Sequence, residues 1–386
     1  MADIRPLTRD DIPQITSLYE HVARSGSRTP PSELAGYFAN TFLDHPWADP
    51  EIPSLVYEEE DGAIVGFLGS SVRRLVFDGR PIRACVSGQL ITEPRIRSQA
   101  GGVFLMRACM AGPQDLTLTD GASFVVEQIW DRLGGEPFQI ACVDWLRVFR
   151  PWRFAGDFLA HRRKHTRLGV TVRPLWSLLD AMTLRLPGPS LRPKATETIA
   201  EPLTPRAVME HLPHVAESFR VRPDYDEGFL DWLFREMALV ARRGTLVSRL
   251  VRDRKHRVRG WYVYYLRPGG IGHVLQIVGS ERDLDDVLGD LFRNAWSNGA
   301  AALLGRVDAH LREPLARRRC LFRPSESLAL IHARDPKLLH AIQSGRALLT
   351  RMEGEWWMGH HLQPFEQARG RVPAAVLDAG LRERLP

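Results

Sequence analysis

An apolar run from Cys85 to Ile91 leads into Thr92-Glu93-Pro94-Arg95-Ile96-Arg97-Ser98-Gln99-Ala100-Gly101-Gly102, and a helical pattern from Val103 to Met110 follows. No other stretch constrains the fold as much, because its order is strand, tight loop, helix. The small residues Ala100, Gly101 and Gly102 let a ligand come close to the backbone. The first N–H groups of a helix have no partner within it, and with the helix dipole they form an anion site suited to a phosphate or pyrophosphate. A loop of this composition also serves as an ordinary strand-to-helix turn. Two familiar phosphate cradles are excluded, since the chain has neither GxxxxGK[ST] nor GxGxxG at this point.

The elements around the loop can be read in order. Ile4-Arg5-Pro6-Leu7 reads as a short strand, and Thr8 or Asp10 caps a helix that places Ile12, Ile15, Leu18, Tyr19 and Val22 on one face. The stretch from Ser25 to Pro53 is polar with aromatic anchors at Tyr37, Phe38, Phe42 and Trp47, which reads as a helix packed by its aromatics. Ser54 to Tyr57 and Ile64 to Gly69 are strands about an Asp61-Gly62 turn, and Asp78-Gly79 marks a second hairpin before Ile82 to Ile91. Asp115 to Asp120 is the next strand, and Gly121-Ala122-Ser123 opens a helix through Val126, Ile129, Trp130 and Leu133. Gln139 to Trp145 reads as the last strand of this domain.

Within this frame Pro94, Arg97, Ala100, Gly102 and Leu105 resemble the P-x-x-[RQ]-x-x-G-x-[GA]-x-x-L signature of the GNAT superfamily of acyl-CoA-dependent N-acyltransferases. Ala100 stands where that family usually has Gly, and Ala disfavours the positive φ that Gly allows. Ser123 to Gly135 resembles a second family element, with Ser123 for Asn, Val126 for Ala, Trp130 for Tyr and Gly135 for Phe. The resemblance implies an α/β fold with two GNAT-like domains, each a mixed, mostly antiparallel central sheet flanked by helices. Residues 1–150 would form the acyl-CoA-binding domain and 151–195 a basic connector carrying His161-Arg162-Arg163-Lys164-His165. Residues 196–360 would form a degenerate second copy and 361–386 a tail.

The second copy is legible as an echo. Ile199 to Thr204 repeats Ile4 to Thr8, Gly260-Trp261-Tyr262 stands where Gly66-Phe67-Leu68 does, and Gly272 to Val278 matches Val86 to Ile91. Its loop, Gly279 to Asp286, is acidic, and carboxylates at a helix N-terminus occupy the place a pyrophosphate would need. This copy is therefore expected not to bind CoA, and to shape the acceptor site or mediate a homodimer.

By resemblance, backbone N–H groups of Arg97, Ser98, Gln99, Ala100, Gly101 and Gly102 would hold the pyrophosphate, with the Arg97 side chain adding charge-assisted bonds. An N–H of Ile91 or Glu93 would face the thioester oxygen. Glu93 is the first candidate for the base that takes the amine proton, with Asp120 second, although Asp120 also suits a helix cap. Trp130 is no acid at neutral pH, so the leaving thiolate would draw on water or on hydrogen bonding from Ser123. The implied co-substrate is acetyl-CoA or another acyl-CoA, and the acceptor is a small-molecule or peptide amine.

Bulk properties add exclusions. No apolar run is long enough to span a bilayer, and Met1 to Arg5 lacks a signal-peptide pattern, so a cytoplasmic location is expected. Cys85, Cys109, Cys142 and Cys320 have no metal spacing, and His360-His361 lacks a third ligand, so no metal is expected. The net charge of +6 is carried almost wholly by Arg, without a nucleic-acid-binding motif. Two other functions fit the same residues. One is a non-catalytic sensor or scaffold; the other is a transferase taking its acyl group from acyl carrier protein or aminoacyl-tRNA, received by Arg317-Arg318-Arg319 and the connector.

Overall fold

The computed structural model describes residues 3–23, 32–97, 100–156, 179, 180, 182, 191–194 and 196–358. The side chain of Arg97, all of Ser98 and Gln99, the 161–165 cluster, His360-His361 and the tail lie outside the described residues.

The first half runs β1 (Asp3–Pro6), α1 (Ile12–Ala23), α2 (Ser32–Phe42), β2 (Leu55–Glu58), β3 (Ile64–Phe77), β4 (Arg80–Thr92), α3 (Pro94–Arg97), α4 (Gly101–Met110), β5 (Leu116–Ala122), α5 (Phe124–Arg132), β6 (Glu136–Pro137) and β7 (Val143–Val148). The second runs β8 (Ile199–Pro202), α6 (Pro205–Val215), β9 (Val221–Pro223), α7 (Glu227–Ala238), β10 (Thr245–Arg252), β11 (Val258–Leu266), β12 (Ile271–Gly279), α8 (Leu284–Ser297), β13 (Ala302–Arg306), α9 (Arg312–Arg317), β14 (Leu321–Pro324), β15 (Leu328–Ala333) and α10 (Pro336–Gln343).

Two mixed sheets result. The first is ordered β1-β2-β3-β4-β5-β15-β6, with β9 added along β3; the second is ordered β14-β7-β13-β12-β11-β10-β8. Each is antiparallel except for one parallel pair, β4 with β5 and β12 with β13. The β3–β4 hairpin turns at Asp78 (φ 49) and Gly79 (φ 80), a pair of positive φ values that matches the twist of the flanking strands.

One expectation is corrected. The run Gln139 to Trp145 does not close the first sheet. Gln139–Cys142 is a 3-10 turn, and β7 then crosses to pair with β13 and β14 of the second sheet. In return β15 enters the first sheet between β5 and β6. Each half thus keeps a short terminal strand and lends the other its last long one. An apolar run specifies a strand without naming its neighbour, so the two arrangements read identically in sequence.

The aromatic stretch in α2 is core. Tyr37, Phe38 and Phe42 are buried against Phe67, and Trp47 stacks on Phe229 of α7 at 3.5 Å between ring centroids. The cysteines are free thiols, and Cys85 and Cys109, distant in sequence, place their sulfurs 3.7 Å apart in the core. No helix among the described residues is long and apolar enough to cross a membrane.

Candidate active site

The parallel pairing of β4 with β5 ends at Val86 and Leu118, and the two strands then part. Just beyond, β4 carries a bulge. Phe67 faces Ile91 and Gly69 faces Gly88, so Gln89 and Leu90 together oppose Leu68, and Gln89 takes φ 55. A bulge of this kind bends its strand and re-aims the groups beside it. The second sheet repeats the design, with β12 leaving β13 after Val274 and an extra residue at Leu275.

The segment after α10 fills both openings. In the second sheet, Gln276 donates to Thr350 at 3.3 Å and to Glu353 at 3.4 Å, and Arg306 donates to the Leu349 carbonyl. Arg73 of β3, fully buried, donates to the Glu353 carbonyl at 3.0 Å and ties the same segment to the first sheet. In the first opening stands Glu355. Its carboxyl accepts from Thr119 Oγ1 and from the backbone N–H groups of Gln89 and Gly121. Burial, with Asp120 nearby, pushes its pKa up to about 8. A Cβ on Gly88 would fall inside this carboxyl, so glycine is what admits Glu355 to the opening.

Asp120 is not a helix cap. Its Oδ1 accepts the N–H groups of Glu355 at 2.7 Å and Trp356 at 2.8 Å, and its Oδ2 lies 3.5 Å from Arg306. A Cβ on Gly354 would collide with the same carboxylate. Asp120 therefore orients the turn that presents Glu355.

Glu93 lies elsewhere. It is partly exposed, accepts from Arg95 Nε at 2.7 Å, and shares that arginine with Glu59. Its own N–H is bonded to the Val65 carbonyl at 2.9 Å, and so is not free for a thioester oxygen. Ile91 belongs to the same antiparallel ladder with β3. Ser123 holds the N-cap position of α5, makes no capping bond with its side chain, and lines the cleft described below. Trp130 is wholly buried at the cleft wall, and its indole N–H has no hydrogen-bond partner among the described residues.

At the loop, Ala100 adopts the left-handed conformation (φ 60, ψ 24), so the chain uses there the backbone that Gly favours and Ala resists. Val103 and Phe104 donate back to its carbonyl at 2.9 and 3.1 Å, and no acidic residue stands in the first turn of α4. Gly101 packs against Ile96, where a Cβ would come within 2.8 Å; one on Gly102 would meet Leu90 and Ile129 at an ordinary 3.7 Å. In the second copy, by contrast, Asp283 holds the N-cap position of α8 with Asp285 and Asp286 in its first turn, and these pair with Arg259, Arg317 and Arg318. That helix start is closed by its own ion pairs.

A cleft of about 930 Å³ runs from the first opening to the second sheet. Ser87, Gly88, Gln89, Leu90, Met106 and Trp130 line one wall; Arg243, Arg267, His273, Arg323, Arg351 and Trp356 line the other. The sequence reading passes over Glu355, Arg351 and Trp356, which match no motif. The available signal was the composition of Met352-Glu353-Gly354-Glu355-Trp356-Trp357-Met358, two carboxylates set among apolar residues and a glycine, where a carboxylate must find buried partners. Among the described residues no group of acidic, His or Cys side chains is arranged to hold a metal.

No protein-family model matches the sequence, and no curated protein matches it. Solved structures do match. A conserved protein of Enterococcus faecalis V583 described as a probable N-acyltransferase superposes with a TM-score of 0.55 at 10% identity, over 86% of this chain and 72% of that one. A GCN5-related N-acetyltransferase from Anabaena variabilis gives 0.54 at 11% identity, over 87% and 74%. Another from Kribbella flavida gives 0.50 at 11%, over 86% and 72%. At such identity the likeness is one of fold, and together with the two matching sheets it identifies this chain as a tandem pair of GCN5-related N-acetyltransferase (GNAT) folds.

Proposed function

We propose that this chain is an N-acyltransferase that moves an acyl group, most simply acetyl, from a CoA thioester to an amine. The observation that carries the reading is Glu355, a carboxyl held between the parted ends of β4 and β5. The residues present suit the co-substrate. The first turn of α4 is free of acids, and Gly102 puts no side chain between its backbone N–H and an approaching phosphate. The apolar wall of Leu90, Met106, Val126 and Trp130 suits the uncharged arm of the donor.

In the transfer the amine nitrogen attacks the thioester carbonyl, a C–N bond forms and the C–S bond breaks. The proton lost from nitrogen passes to Glu355, and the departing thiolate takes up one proton, so the carboxylate is regenerated. A base with pKa near the working pH serves such a step best. Asp120 acts through the turn it orients, as a positioning residue, and the partly exposed Glu93 holds the loop through Arg95. Trp130, whose N–H has no partner among the described residues, offers the thiolate a hydrogen bond and no proton.

A second reading, a binding protein without chemistry, is favoured by that same Trp130, which stands where the resemblance expects Tyr. Thiol release from acetyl-CoA across a panel of amines separates the two. Turnover that falls at least tenfold in Glu355→Gln and stays within about threefold in Glu93→Gln, whose exposed ion pair contributes little, supports catalysis through Glu355. Acetyl-CoA binding without turnover of any amine supports the second reading.

A further inference from the structure

The two walls of the cleft differ in charge. The first-sheet wall carries no basic residue and has Glu355 in its opening, whereas the second-sheet wall brings together Arg243, Arg267, Arg323 and Arg351. The carboxylates of this lining, Asp144, Glu326 and Glu355, are fewer than its arginines. Asp144 serves Arg351 at 3.0 Å and Arg323 at 3.9 Å, and the exposed Glu326 lies 3.5 Å from Arg323. Arg267 has no carboxylate partner among the described residues.

Arg351 is the most telling of the four. Its side chain is 4% exposed, yet its Nη1 is buried without a hydrogen-bond partner among the described residues. His273, on the same wall, likewise buries Nδ1 without a partner among the described residues. A buried donor left unmet is costly, and an acceptor from outside the chain would relieve that cost. Trp356 holds the arrangement. The Arg243 guanidinium lies 3.5 Å and that of Arg351 4.1 Å from its ring centroid, so both are fixed in place by the indole next to Glu355.

Resting on the acyltransferase reading, we propose that the amine acceptor carries an anionic group, a carboxylate or a phosphate, and that Arg351, Arg267, Arg243 and Arg323 bind it. The amine then reaches Glu355 from the second-sheet side while the donor enters from α4. The arginines are not placed for the donor's pyrophosphate, because Gly101 and Gly102 are absent from this cleft lining and every one of the four belongs to the second half of the chain. A planar guanidinium presents paired donors that fit either oxyanion.

The test uses matched probes: glutamate against its diamide, and phosphoethanolamine against ethanolamine. Each is titrated calorimetrically into the full chain, and each is offered with acetyl-CoA in a thiol-release assay. The anionic member of at least one pair is expected to bind and react at least tenfold better than its neutral partner. Carboxylate and phosphate are told apart by which pair shows the difference. Arg267→Gln, at an exposed position that the fold tolerates, is expected to weaken the anionic probe at least fivefold, leaving KM for acetyl-CoA unchanged; Arg351→Gln should do so more strongly. Equal binding of charged and neutral probes overturns the inference, as does a change in KM for acetyl-CoA in place of the acceptor. Anion binding that depends on Arg267 without any turnover supports the site while overturning the acyltransferase reading.

Discussion

At the scale of single residues, the account rests on a carboxyl group held away from its ordinary state. Burial raises the pKa of Glu355 from the usual glutamate range to about 8. Between those limits the folded protein keeps a proton that the unfolded chain has released, so this group's contribution to stability falls as pH rises through that window. Its competence as a base runs the other way. The rate is expected to climb with pH and level off above about 8 as the carboxylate forms. Rate profiles and melting curves from pH 5 to 9 check both, with Glu355→Gln expected to be slow throughout and to lack the loss of stability between pH 5 and about 8. A profile identical in the two proteins would remove Glu355 from the chemistry.

At the scale of elements, the loop before α4 shows where sequence and backbone disagree. The strand, the small residues and the helix follow from spacing, yet the conformation of Ala100 does not, because Ala resists the left-handed region it occupies. Replacing Ala100 with Gly should relieve strain of about 1 kcal/mol, partly offset by the entropy Gly adds to the unfolded chain. The expected result is a Tm unchanged or slightly raised, and acetyl-CoA bound at least as tightly; a clear loss of stability would mean that the loop needs the Ala side chain. The β3–β4 hairpin was equally legible, since Asp78-Gly79 names its own turn. The exchange of β7 and β15 was not, because alternation and apolarity specify a strand and leave its partner open. Glu93 drew attention by standing beside the loop motif, while Glu355 reaches the opening only through chain folding more than 230 residues after β5, at a separation of 236 from Thr119.

At the scale of the molecule, the two halves complete each other. Each sheet contains a strand from the other half, Trp47 stacks on α7, and the segment from Leu348 to Met358 occupies the openings of both sheets. Residues 1–150 alone would lack β15, the Glu353–Arg73 tie and Glu355, and would carry β7 without its partners. The expectation is one cooperative unfolding transition for the full chain and none for that fragment, read by calorimetry and near-ultraviolet dichroism; a fragment that folds cooperatively would show that the exchange is dispensable. The proposed donor site is most directly tested by titrating acetyl-CoA into the wild-type chain and into Gly102→Asp. A side chain at Gly102 meets only ordinary contacts, so the variant should fold, while its carboxylate repels a phosphate at the start of α4. Binding by the wild type that vanishes in a folded Gly102→Asp variant is the predicted result, and no binding by the wild type, or equal binding by both, would contradict the account.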